Sequence, residues 1–96
     1  MSTPGTTEAP VKDAKAGVRF ADMYQVVLHN DDENSMEHVV GCLMQVFGHS
    51  QELAVRIMLE AHHTGQAIAE VEAEDPARLH RDQLESFGLT ATVERV

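Results

Sequence analysis

The sequence predicts an α+β protein. It forms a single small domain in the order β-α-α-β-α-β, with a three-stranded antiparallel sheet and three helices packed on one of its faces. Three observations lead there. At 96 residues the chain has room for one domain with one modest core. Hydrophobic residues make up 43% of it, enough to build that core and too many for a chain disordered throughout. Apolar residues alternate at period two in three short stretches and recur at helical spacing in three longer ones, with Gly and Asx residues between them. No internal repeat is visible.

Residues 1–21 read as a flexible N-terminal extension, because Met1 to about Gly17 is rich in Thr, Pro, Gly, Ala and Lys and offers almost nothing to bury. The domain is expected over residues 22–96. Tyr24, Val26 and Leu28 alternate with Gln25 and Val27, which predicts a strand. It stops at Asn30-Asp31-Asp32-Glu33-Asn34, a turn by composition, since Asn and Asp side chains hydrogen-bond their own backbone. Asn34 followed by Glu37 resembles a capping box, so the first helix is expected to start at Asn34. Met36, Val39, Val40, Leu43 and Phe47 give it an apolar face, and Gly48 ends it.

Ser50 caps a second helix, with Gln51 and Glu52 in its positively polarised first turn. Leu53, Ala54, Ile57, Met58 and Ala61 share one face, while Val55 and Leu59 lie elsewhere around the axis. A helix apolar on more than one side is expected at the centre of its domain. Gly65 closes it. Ala67, Ala69, Val71 and Ala73 alternate with Ile68, Glu70 and Glu72 as a second strand. Asp75-Pro76 opens a third helix, with Pro at the first helical position. Leu79, Leu84 and Phe87 carry that helix to Gly88. Leu89, Ala91 and Val93 alternate with Thr90, Thr92 and Glu94 in the third strand.

Sixteen acidic residues against seven basic ones give a formal charge of -9. A phosphate backbone or an anionic membrane would be repelled, so the charge argues against both as partners and fits a basic group or a free amine. Cys42 is the only cysteine, which rules out an intramolecular disulfide. No stretch approaches the ~18 apolar residues of a membrane helix and no signal segment opens the chain, so the cytoplasm is the expected location.

Six histidines raise the question of a metal. None falls in an H-E-x-x-H arrangement, and Cys42 has no second cysteine at ligand spacing, so neither a metal nor another cofactor is expected. His62 and His63 are neighbours on a helix, and their rings are expected to diverge by about a quarter turn. An enzyme is not expected either. There is no Gly-rich phosphate loop and no serine in a nucleophile-elbow context. Cys42 lies within an apolar helix, where a small thiol is ordinarily inert packing. Asp31 and Asp32 could form a general acid/base couple, but between a strand and a helix such a pair more often builds a turn.

Two stretches together carry a resemblance. Tyr24-Gln25-Val26-Val27-Leu28-His29-Asn30-Asp31-Asp32 followed by Met36-Glu37-His38-Val39-Val40 looks like the first signature of the ClpS family of N-degron adaptors. Arg56-Ile57-Met58-Leu59-Glu60-Ala61-His62-His63-Thr64-Gly65-Gln66-Ala67 is similar to its second. The resemblance runs from about Met23 to Val96. It implies a non-catalytic adaptor that grips the free N-terminal residue of a client protein and hands that client to the AAA+ unfoldase of a Clp protease, of ClpA or ClpC type. By similarity, Asn30, Asp31 and His62 surround the client's α-amino group, with Asp32 and Asn34 in backbone or supporting contacts. The client's first side chain enters a hydrophobic pocket of Met36, Val39, Met58, Ala61 and Leu89, with Cys42 at its floor. Met36 matches the family's gate against β-branched side chains, which implies a preference for Leu, Phe, Tyr and Trp.

The sequence also departs from the family's pattern. Glu33, Asn34 and Ser35 stand where an aromatic residue, Thr and Pro are common, and Ala61 stands where valine is frequent. The smaller Ala61 is expected to relax the pocket toward large aromatics. The third helix reads as short, with His80 or Arg81 near the place of the positive residue that faces the chaperone. Two other readings share these residues. One is a general interaction module similar to the C-terminal domain of the bacterial ribosomal stalk protein. The other is a small hydrolase using His62 with Asp31, for which no nucleophile can be named.

Overall fold

The computed structural model describes residues 22–96, so the expected extension over 1–21 lies outside the described residues. Six elements follow in the predicted order: β1 (Met23–His29), α1 (Met36–Phe47), α2 (Gln51–Thr64), β2 (Gln66–Ala73), α3 (Glu74–Ser86) and β3 (Thr90–Arg95). The strands lie in the order β2-β1-β3, and both pairings are antiparallel. β1 is therefore central. Val26, Val27 and Leu28 are all buried there, which a strand with one wet face would not show. Val26 and Leu28 face the helices and join the core cluster. Val27 points the other way, between its cross-strand neighbours Ile68 and Thr92.

The pairing of β1 with β2 slips by one residue. Val26 stands opposite Glu70 and Val27 opposite Ile68, so Ala69 is the extra residue of a β-bulge. His49 caps the Ala69 carbonyl, donating from Nε2 at 2.8 Å. A carbonyl only accepts, so Nε2 carries the hydrogen.

Helix ends follow local chemistry. Ser50 Oγ accepts from the Leu53 N–H at 3.1 Å, and Gly48 and Gly65 close α1 and α2 in the left-handed conformation, at φ 73° and 98°. The N-terminus of α1 differs from expectation. Ser35, not Asn34, is the cap, its Oγ accepting from the His38 N–H at 3.0 Å, because the Asn34 side chain is engaged elsewhere. α3 begins two residues earlier than expected. β2 runs straight into it with Ala73 at the cap position and no side-chain cap, so Pro76 is its third residue. That place still costs no hydrogen bond, since the first four N–H groups of a helix lack intrahelical partners. α3 ends in a Schellman motif, with the Gly88 N–H donating to Glu85 O at 3.0 Å and the Leu89 N–H to Leu84 O at 3.1 Å.

The core lies between the helices and the Val26/Leu28 face of the sheet. Leu43 from α1 and Leu84 from α3 are its largest fully buried helix residues. Around them are Ala54, Ala61, Ala67, Ala69, Ala77 and Ala91, whose small side chains let the helices approach the sheet closely. Leu79 is 55% exposed, so α3 buries Ala77 and Leu84 and not the expected Leu79. Leu59 is exposed too, and α2 buries a single face of Ala54, Ile57, Met58 and Ala61.

Leu43→Ala is expected to lower the unfolding free energy by about 2–5 kcal/mol through the cavity it leaves, and Leu79→Ala by less than about 0.5 kcal/mol. Urea titrations of the two variants measure this, and comparable losses would contradict the packing of α3 described above.

Candidate functional site

The exit of β1 is tied to the end of α2. The Asn30 N–H donates to the Gly65 carbonyl at 3.0 Å, and Gly65 is the C-cap of α2, three residues beyond His62. The chain then turns over the Asp31 carboxylate. Its Oδ1 accepts from the backbone N–H groups of Glu33 and Asn34, at 3.0 and 2.9 Å. The Asn34 side-chain amide donates to both Asp31 oxygens at 3.2 Å and to the Gly88 carbonyl at 2.9 Å. One turn later, His38 Nε2 donates to the Phe87 carbonyl at 2.8 Å. The turn and the first turn of α1 are thus fastened to the α3–β3 corner.

This bracing shapes a cavity of about 200 Å³. β1 contributes Leu28 and His29, the turn Asn30, Asp31, Asp32 and Asn34, α1 Met36 and Val39, and α2 Met58, Ala61 and His62. The structure therefore brings together Asn30, Asp31 and His62, the supporting Asp32 and Asn34, and four of the expected pocket residues. It does not bring Cys42 and Leu89 to the lining. Cys42 is 5% exposed in the core with Sγ 3.6 Å from His38 Nε2, and Leu89 is 3% exposed and closes α3 through its N–H. Both sit in the core cluster. Leu28 and His29 were missed, although lying next to the turn was a signal that they share its surroundings. His29 Nε2 lies 2.8 Å from Thr92 Oγ1. The rings of His62 and His63 do not simply diverge: they meet edge to face with centroids 5.3 Å apart.

Partial burial pulls the Asp31 carboxyl upward. The donors outweigh it: backbone and side-chain N–H groups of Asn34, the N–H of Glu33 and the nearby His38 leave the group below its ordinary 3.8. Asp31 is ionised at neutral pH. Burial raises the Cys42 thiol, which stays protonated and is a poor nucleophile. Among the described residues, no hydroxyl, thiol or amine side chain lines the cavity. The lining pairs two carboxylates and two amides with methionine, valine and alanine surface, which suits a cationic group attached to an apolar one. Among the described residues, no three His, Cys, Asp or Glu side chains are arranged to hold a metal ion, and no helix is long and apolar enough to cross a membrane. His80 and Arg81 both meet carboxylates, Glu72 at 2.6 Å and Asp82 at 2.7 Å.

Fold and cavity together define a small α+β domain with a cavity that is acidic on one side and apolar on the other. The family described as "ATP-dependent Clp protease adaptor protein ClpS" matches residues 19–92. The ATP-dependent Clp protease adapter protein ClpS of Synechococcus elongatus is 44% identical over 77 residues, 79% of this chain and 81% of that protein. The chloroplastic adapter CLPS1 of Chlamydomonas reinhardtii is 36% identical over 98% of this chain and 59% of its own length. Among solved structures, Agrobacterium tumefaciens ClpS2 bound to L-phenylalaninamide superposes with a TM-score of 0.73 at 30% identity, covering 79% of this chain and 99% of that one. The chain belongs to the ClpS family, whose members are adaptor proteins and not enzymes.

A carboxyl depressed in the folded state stabilises the fold above its unfolded pKa and loses that contribution as pH falls through the folded value. The stability difference between the parent chain and Asp31→Ala is therefore expected to be full above about pH 4 and to shrink as the pH drops toward 2. Urea titrations of both proteins across that range test it, and a gap that widens on acidification contradicts the sign.

Proposed function

We propose that residues 22–96 form an N-degron adaptor domain. The domain captures the free N-terminal residue of a client, Leu, Phe, Tyr or Trp, and delivers the client to an AAA+ unfoldase of ClpA or ClpC type in the cytoplasm. One observation carries the reading: Asn30, Asp31 and His62 line the same cavity as Met36, Val39, Met58 and Ala61. An α-ammonium has three donors and no acceptor, and needs oxygens and an unprotonated ring nitrogen converging on it. Asn30, Asp31 and His62 supply them, with Asp31 already ionised. With a pKa of about 7.7–8.0, a chain terminus is largely cationic at neutral pH, and a neighbouring carboxylate favours that form. An internal peptide nitrogen has one donor and no charge, so selection for chain ends follows.

The apolar lining takes the client's first side chain. Met36 is 46% exposed, as a gate at a pocket mouth must be, and methionine adapts to several apolar shapes. Ala61 leaves the wall shallow enough for large aromatics. L-phenylalaninamide, the ligand of the Agrobacterium relative, supports the same scheme, because it joins a free α-amine to an aromatic side chain. Asn34 supports the turn, its amide keeping the Asp31 oxygens in place, and Asp32 stands beside them on the cavity lining.

Fluorescence binding to peptides differing only at the first residue tests the reading. Free N-terminal Phe, Tyr, Trp and Leu are expected to bind and Val and Ile to bind weakly, with Trp no worse than a few-fold below Leu. N-terminal acetylation should abolish binding. His62→Ala, at an exposed position, is expected to weaken it by about 1.5–3 kcal/mol, the loss of a charge-assisted hydrogen bond. Equal affinity for free and acetylated peptides would point to a general interaction module of the same fold. A steep fall from Leu to Trp would overturn the role given to Ala61.

A further inference from the structure

A second apolar groove, of about 410 Å³, runs between α1 and α2 beside the first cavity. Met36, Val40 and Met44 stand along α1 at successive four-residue steps, with Val55 and Met58 facing them from α2. Met36 and Met58 line both cavities, so they are the wall between the two. Met36 and Met44 are 46% and 38% exposed. Gly41 lies on the groove in the interior of α1. Glycine there weakens a helix relative to alanine, and no steric need excuses it, since an added Cβ would meet nothing within 4 Å. Its effect is to keep the groove open.

We propose that this groove is a second subsite, which takes an apolar side chain at the client's third residue, so that the degron is read at positions one and three. The inference rests on the first cavity holding residue one. A peptide leaving that cavity in extended form places alternate side chains on opposite sides, at about 3.3 Å per residue. The second side chain then points to solvent. The third returns to the protein roughly 7 Å from the first, a step that fits two cavities divided by a methionine wall. Met36 thereby touches both client side chains, and its flexible thioether lets it pack against each.

The test uses the full chain and labelled peptides that begin Phe-Gly-Gly, Phe-Gly-Leu or Phe-Leu-Gly and share one polar tail. Leucine at position three is expected to tighten binding about tenfold over glycine, the effect of burying most of a leucine side chain, and leucine at position two by less than about twofold. Gly41→Leu fills the groove with a better helix former, so it should fold and bind Phe-Gly-Gly as the parent does while losing the preference at position three. Met44→Glu should lose it as well. If Phe-Gly-Gly binds through its free amine but leucine at position three gives no gain, or Gly41→Leu keeps the gain, the second subsite is wrong and the first reading stands. If Phe-Gly-Gly binds no better than its acetylated form, both fall together.

Discussion

The site depends on how one carboxylate spends its acceptors. Asp31 gathers the N–H groups of Glu33 and Asn34 and, through the Asn34 amide, is linked to the Gly88 carbonyl 54 residues beyond Asn34. Those bonds shape the turn, hold the start of α1 against the α3–β3 corner and keep Asp31 ionised despite partial burial. One set of contacts therefore sets both the shape and the charge of the cavity mouth. A binding site for a cation is costly to assemble if its anion must first be desolvated and oriented. Here folding has already oriented it.

Much of this architecture was legible because its determinants are local. Ser50, Gly48 and Gly65 act on the backbone within a turn of themselves: Ser50 starts α2, and Gly48 and Gly65 end α1 and α2, where the sequence places them. Asn34 and Ser35 were harder to separate, since either side chain can cap a helix. The choice was made at long range by Gly88, which claims the Asn34 amide and leaves the cap to Ser35. Leu79 misled for the opposite reason: it fits a helical period, but α3 packs through Ala77 and Leu84. The bulge at Ala69 was hidden because Ala67, Ala69 and Val71 alternate correctly by themselves, and a bulge exists only relative to the partner strand.

The candidate site was legible from the two signatures jointly and from neither residue chemistry nor spacing alone. Turn formation explains Asn30 and Asp31, a surface position explains His62, and core packing explains Met58. Their meeting around one cavity is a long-range fact that no single one of these residues announces. Cys42 and Leu89 were carried in by resemblance, and both lie in the core cluster with Leu43 and Leu84.

The irregularity in β2 bears on how copies of the protein meet one another. β2 is an outer strand with Ile68 and Val71 partly exposed, a composition that invites another strand to dock. The extra residue breaks the regular spacing of its amides and carbonyls, His49 occupies the carbonyl at the break, and Glu70 and Glu72 add like charge along the rim. An edge so interrupted is a poor template for continuing the sheet from one molecule into the next. Edge-to-edge pairing is thus opposed by the backbone path as well as by the charge.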